Sequence, residues 1–246
     1  MKIIAVYSIK GGVGKTATVV NLVYLASMEN TPVLLIDLDP QGSASYYYRI
    51  QPSKKLKSPK LLKGKNTVDK YIKGTDFLNL DLLPSDFSYR KLDIILNNKK
   101  RSHQILKDIF LPFQDEYEYI FLDCPPNITL LSENIFYAAD MIIVPVIPTT
   151  LSILTYNKLV KFFEKKKYDF SKLVPFFSMV ESKKTLHNKI VQNTNAKKNP
   201  FLTTQIPYLS EVEKMGLYRE PLVHKHPNSK AAAAFRTLWE EIKNKK

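Results

Sequence analysis

An apolar run, Ile3–Ile4–Ala5–Val6–Tyr7, breaks into Ser8–Ile9–Lys10–Gly11–Gly12–Val13–Gly14–Lys15–Thr16 and then into a helical pattern from Lys15 to Ser27. No other stretch restricts the fold so tightly. A strand feeding a glycine-rich turn and then a helix is the setting of a phosphate-binding loop. Glycines let backbone N–H groups converge on phosphate oxygens with no Cβ in the way. The helix start adds free N–H donors and the positive end of its dipole. Lys15 is placed to reach β- and γ-phosphates, and the Thr16 hydroxyl to ligate Mg2+. Ile9 stands where the usual G-x-x-x-x-G-K-[ST] pattern has its first glycine, and a second lysine, Lys10, opens the loop.

Further apolar segments read as strands at Val33–Ile36, Leu78–Leu83, Tyr119–Leu122, Met141–Val146, Val174–Met179 and Thr203–Ile206. Helical patterns lie between most of them, at Tyr89–Leu96, Ser102–Phe110, Leu130–Tyr137, Leu151–Lys165, Thr185–Asn193 and Lys230–Ile242. This alternation predicts an α/β fold, with a predominantly parallel central sheet and helices on both faces. Nearly every strand is rich in Ile, Leu and Val without period-two alternation, as expected of strands buried on both sides. The length suits one α/β domain over residues 1–246. Gln51–Asn66, QPSKKLKSPKLLKGKN, holds six lysines, two prolines and one glycine, and reads as an exposed loop or insertion within that domain.

Composition excludes several classes. Cys124 is the only cysteine, so an internal disulfide and any all-cysteine metal or iron–sulfur site are ruled out. The four histidines lack ligand spacing. The longest apolar stretches, such as Met141–Ile147 with its Pro145, fall well short of a membrane span. The first strand follows Met1–Lys2 directly, so no signal peptide and a cytoplasmic location are expected. Lys and Arg outnumber Asp and Glu by 37 to 23, a formal charge of +14 that favours polyanions, nucleic acid first and anionic lipid second.

Two acidic sites accompany the loop. The strand Val33–Ile36 runs into Asp37–Leu38–Asp39–Pro40–Gln41–Gly42, which puts carboxylates at the C-terminal edge where open α/β sheets bind ligands. On their own, Asp37 and Asp39 fit the capping of a strand-to-helix turn as well as they fit catalysis. Tyr119–Leu122 ends in Asp123–Cys124–Pro125–Pro126, a Walker B pattern whose Asp123 would hold Mg2+ opposite Thr16 through water. Cys124 reads as a small buried filler.

Lys10–Gly–Gly–Val–Gly–Lys15–Thr16, Asp37-x-Asp39-Pro-Gln-Gly and Asp123-Cys-Pro-Pro, in this order, resemble the ParA/MinD superfamily of deviant Walker A ATPases, and within it the ParA-type, Soj-like partition and positioning ATPases. The likeness continues in Ala138–Asp140 with Ile142–Val146, in Phe177–Lys183, in Ile206–Pro207 with Leu209–Glu211, and in Ser229–Phe235. The resemblance implies a P-loop NTPase with Lys10 as a signature lysine, reaching across a nucleotide-sandwich homodimer to the partner's ATP. It implies that Asp39 orients the attacking water and that Asp37 supports the metal's outer shell. Lys10, Lys15 and Asp39 would then form the catalytic set. The nucleotide would contact Lys10, Gly11, Gly12, Val13, Gly14, Lys15, Thr16 and Ala17, with Met179 and Pro207 at the base. ATP and Mg2+ are the implied cofactors. The implied partners are a second copy in the ATP state, nonspecific DNA, and a ParB-like or other cargo adaptor that stimulates slow hydrolysis. Nucleoid association without stable membrane insertion would follow.

Departures from the family pattern matter as well. Ala17 replaces a hydroxyl residue often found there, and the "IPRNxR" arginines are absent because Ile206–Pro207 runs directly into Tyr208–Leu209. DNA contacts would therefore fall to Lys183, Lys184, Lys189, Lys197, Lys198, Arg219 and Lys225. Two alternatives remain open at this stage. One is a MinD-like membrane-associated regulator, because Phe235, Leu238, Trp239 and Ile242 form an apolar stripe, although that helix aligns with the family's final core-packing helix. The other is an ATP-dependent biosynthetic ligase acting on a small carboxylic acid, a reading that Lys10 and the DxDPQG match disfavour.

Overall fold

The computed structural model describes residues 1–99, 102–194 and 201–245. Its strands are β1 (Lys2–Val6), β2 (Val33–Asp37), β3 (Lys73–Gly74), β4 (Leu80–Leu83), β5 (Tyr119–Asp123), β6 (Met141–Val146), β7 (Leu173–Val180) and β8 (Gln205–Pro207). They form one eight-stranded sheet in the order β3-β4-β2-β5-β1-β6-β7-β8. Every pairing is parallel except that of β3 with β4 at one edge.

Successive residues of β1 enter opposite cores, Ile3 and Ala5, with Tyr7 just beyond the strand, on one side and Ile4 and Val6 on the other. Both alternating sets must therefore be apolar, which is why the strands show no period of two. Helix α1 (Lys15–Ser27) and the Lys230–Lys243 helix cover one face, where Val19, Leu22 and Val23 pack with Phe235, Leu238 and Trp239. The helices Leu130–Ala138 and Thr150–Lys166 cover the other, through Ile135, Phe136, Leu159 and Phe163. The C-terminal stripe is thus core: Phe235, Leu238, Trp239 and Ile242 are all buried. No helix among the described residues is long and apolar enough to cross a membrane.

Several boundaries differ from the sequence pattern. The Tyr89–Leu96 expectation resolves into a 3-10 turn, Phe87–Lys91, followed by a helix at Leu92–Asn97, and the next helix begins only at Ile105. Leu78 is exposed ahead of β4, and the last strand begins two residues later than expected and ends one residue later. Gln51–Asn66 departs most from expectation. It contains a helical turn at Ser58–Leu61 and the start of another at Lys65–Val68, and Leu56, Leu61 and Leu62 are buried in the core. Only its lysine-bearing side meets solvent, because each leucine that interrupts the lysines gains by leaving water.

Candidate active site

Strands β2, β5 and β1 are neighbours in the sheet, so the loops leaving their carboxyl ends emerge together. The register aligns Asp37 with Asp123, and Asp123 with Val6. Segments far apart in sequence therefore meet at the edge where parallel sheets bind ligands. Gly12 and Gly14 adopt positive φ of 69° and 89°, and a Cβ on Gly14 would lie 3.1 Å from Ser178 Oγ. Only glycine gives this loop its backbone path and lets β7 approach so closely.

Lys15 begins α1 and is buried. Burial pulls its ammonium below the ordinary lysine value, while Asp123 and Asp39 oppose that shift. Thr16 Oγ1 donates to Asp123 Oδ2 at 2.9 Å. Asp123 is fully buried and its carboxyl is raised well above the usual range, first by desolvation and then by the charge of Asp37, with Thr16 opposing. Its Oδ1 has no hydrogen-bond partner among the described residues. A buried carboxylate oxygen left open beside a threonine hydroxyl fits a hydrated divalent cation. No group of three or more His, Cys, Asp or Glu able to hold a metal occurs among the described residues. A cation here would thus complete its shell with water and phosphate oxygens, as Mg2+ does.

Asp37 is held differently. Its Oδ2 accepts from Ser45 N at 2.8 Å and from Ser45 Oγ at 2.7 Å, both at the start of the Ser43–Tyr47 helix. Burial still pushes its carboxyl up to about 7, against those hydrogen bonds. Asp39, two residues on, is partly exposed and lines a cleft of about 470 Å³ together with Gln41, Arg90, Pro125 and Asn127. Ser85 Oγ donates to the Asp39 carbonyl at 2.5 Å, and Ser85 N–H donates to Ser45 Oγ at 3.0 Å. The two aspartates of this loop therefore share one serine-based support. Cys124 is fully buried and burial raises its thiol, so it has no nucleophile's character.

Gly14 and Ala17 line a second pocket with Ser178, Met179, Pro207 and Phe235. Met179 takes a positive φ of 54° at an irregularity in the β7–β8 pairing. Lys10 lies outside that pocket, and its Nζ donates to Ser152 Oγ at 3.1 Å within the same chain. Ser152 in turn accepts from Thr149 Oγ1 at 3.0 Å.

The cationic residues expected to contact DNA lie on separate elements. Lys183, Lys184 and Lys189 are exposed at or near the Thr185–Thr194 helix, with Lys184 paired to Glu181 at 2.6 Å. Arg219 Nε donates to the Tyr46 carbonyl at 3.0 Å, and Lys225 lies 3.7 Å from Glu220. Lys197 and Lys198 lie outside the described residues. Sequence reasoning missed Ser45, Ser85 and Ser152, because no local pattern marks a serine whose partner is supplied by another loop.

Comparison with known proteins gives consistent likenesses. Residues 1–174 match the AAA_31 family model, described as AAA domain. The chain is 29% identical over 252 residues to a virulence plasmid ParA family protein of Chlamydia psittaci, covering 100% of this chain and 95% of that one. Among solved structures, a plasmid partition protein of Borrelia burgdorferi bound to AMPPNP superposes with a TM-score of 0.82 at 25% identity, covering 100% and 99% of the two chains. Cobyrinic acid a,c-diamide synthase of Mycobacterium smegmatis with a bound ATP analog and magnesium gives a TM-score of 0.80 at 22% identity over 98% and 93%, a likeness of fold alone.

Proposed function

The chain belongs to the AAA_31 family of AAA domains, in its ParA-type branch, and from that premise we propose that it is a partition or positioning ATPase switched by dimerisation. ATP with Mg2+ would bind at the loop Lys10–Ala17, the base lying toward Met179 and Pro207. Thr16 and Asp123 would hold the metal, which supplies charge neutralisation to the β- and γ-phosphates when bound. Lys15 brings a fixed positive charge to the same oxygens. Asp39, at the mouth of the cleft, would orient and polarise the attacking water while Ser85 holds its backbone in place. Lys10 would leave Ser152 and enter a partner subunit's site. The paired subunits would grip DNA without reading sequence, and a cargo adaptor would stimulate slow hydrolysis and release them.

One observation carries this reading: the Thr16–Asp123 bond stands beside Lys15 and Asp39 at the sheet edge where the loop bearing Lys10 emerges. The test is light scattering and DNA retention of Asp39→Ala with ADP, with ATP and with no nucleotide, over a salt series. Doubling of mass and DNA retention with ATP alone is the expected result. Protein that stays single when saturated with magnesium and ATP would count against it. Burial of the C-terminal stripe gives the membrane reading no support.

A further inference from the structure

Residues 51–73 carry eight lysines and one acidic residue, Asp69, and so supply half of the chain's formal charge of +14. Their large apolar side chains turn inward: Leu56, Leu61 and Val68 are fully buried, Leu62 nearly so, and no large hydrophobic of the segment is exposed. Ser58 N–H donates to Ser88 Oγ at 2.8 Å, and Lys57 Nζ lies 3.1 Å from Asp86 Oδ2. Lys73 Nζ donates to the Gln51 carbonyl at 2.9 Å, which ties the two ends together. Lys54, Lys55, Lys63 and Lys70 are exposed and form no ion pair with a described residue. These free lysines are carried by a segment that buried leucines and hydrogen bonds tie to the core, unlike a solvated lysine loop.

Charge without exposed apolar groups argues against a bilayer, because an interfacial anchor needs an apolar face to bury. A phosphodiester backbone asks for charge alone. We propose that residues 51–73 form the docking surface for the phosphates of duplex DNA, a role left open by the missing arginines after Pro207; this rests on the DNA-binding reading above. The same scaffold meets the hydrolytic loop, since Ser85 holds the Asp39 carbonyl and the adjacent Asp86 holds Lys57.

The test uses full-length protein saturated with magnesium and AMPPNP, titrated onto a fluorescent duplex of mixed sequence across a salt series. The variant K54Q/K55Q/K63Q/K70Q is expected to bind at least about tenfold more weakly and to flatten the salt slope by about two to four for each subunit that contacts the duplex, at roughly 0.9 for each phosphate that is no longer neutralised. Its AMPPNP affinity and far-UV circular dichroism are expected to match wild type, since all four side chains are exposed. A comparison variant, K183Q/K184Q/K189Q, is expected to keep the wild-type slope. Wild-type affinity and slope in the quadruple variant would overturn the proposal and leave DNA binding standing. A wild type that fails to bind DNA overturns both. Wild type retained on phosphatidylserine vesicles but not on DNA, with retention abolished in the quadruple variant, would overturn the proposal in favour of a membrane surface.

Discussion

Lys10 Nζ donates to Ser152 Oγ at 3.1 Å, so the lysine expected to serve a partner subunit is held by its own. Ser152 is buried at the start of the Thr150–Lys166 helix, and Thr149 donates to the same oxygen. Reaching into a second subunit must break this hydrogen bond. A hydrogen bond to a charged group at a partly exposed site contributes on the order of 1 kcal/mol, or about fivefold in an equilibrium constant. Each dimer breaks two such bonds, one per subunit, so Ser152→Ala should tighten AMPPNP-dependent dimerisation by about 25-fold, measured by sedimentation velocity. Unchanged or weaker association would mean that Ser152 does not restrain Lys10.

Asp39 has a different signature. Its side chain faces an open cleft, whereas its backbone is fixed by Ser85. Removing a group that positions or activates water typically costs about 10²- to 10⁴-fold in rate. Asp39→Ala should lose hydrolysis on that scale and keep nucleotide affinity within a few fold, read from single-turnover kinetics and a fluorescent ATP analogue. A loss of affinity that matched the loss of rate would move Asp39 from the water to the ground-state nucleotide.

The phosphate loop was legible in the sequence because strand, glycines and helix are contiguous between Ile3 and Ser27. The buried strands were legible because both of their faces are covered. The pairing of Asp37 with Asp123 was not, since it follows from the order β2-β5-β1 and is written in no single segment. Ser85 and Ser152 act across separations of 46 and 142 residues, and an isolated serine carries no pattern. The two-residue strand β3 is too short for any periodicity. In Gln51–Asn66 the lysines dominated the composition and concealed Leu56, Leu61 and Leu62, which anchor the segment.

Asp37 provides a pH test. Its folded-state carboxyl is pushed up to about 7 by burial, from an ordinary value of 3.8 in the unfolded chain. Between those values the folded state keeps a proton that the unfolded state has released, so this group's contribution to stability falls as pH rises through the window. Above the folded value both states are ionised and the full penalty of a buried charge remains, on the order of a few kcal/mol. Asp37→Asn keeps an acceptor for Ser45 and removes the charge. Without nucleotide or metal, it should be more stable than wild type above pH 7, with the difference shrinking toward pH 4. Urea unfolding across that range is the measurement. A difference that stays constant with pH would show that Asp37 is not the titrating group.

The C-terminal helix allows a clean separation of core from anchor. Trp239 is buried, its ring meets Tyr119 edge-on at 5.5 Å, and its indole N–H donates to Glu29 Oε1 at 2.9 Å. Its replacement by alanine removes a large buried ring, opens a cavity beneath β5, and leaves Glu29 with Lys243 as its remaining partner. Core truncations of this size typically cost about 3–5 kcal/mol. Trp239→Ala should therefore lower the urea midpoint by that equivalent, and vesicle co-sedimentation of the folded protein should match wild type. The membrane reading requires the reverse, because a residue that inserts into lipid contributes little to the soluble fold. A variant as stable as wild type that loses vesicle binding would identify the stripe as an anchor. Loss of stability without any change at the vesicle surface keeps it in the core, packed against the sheet that carries Asp123.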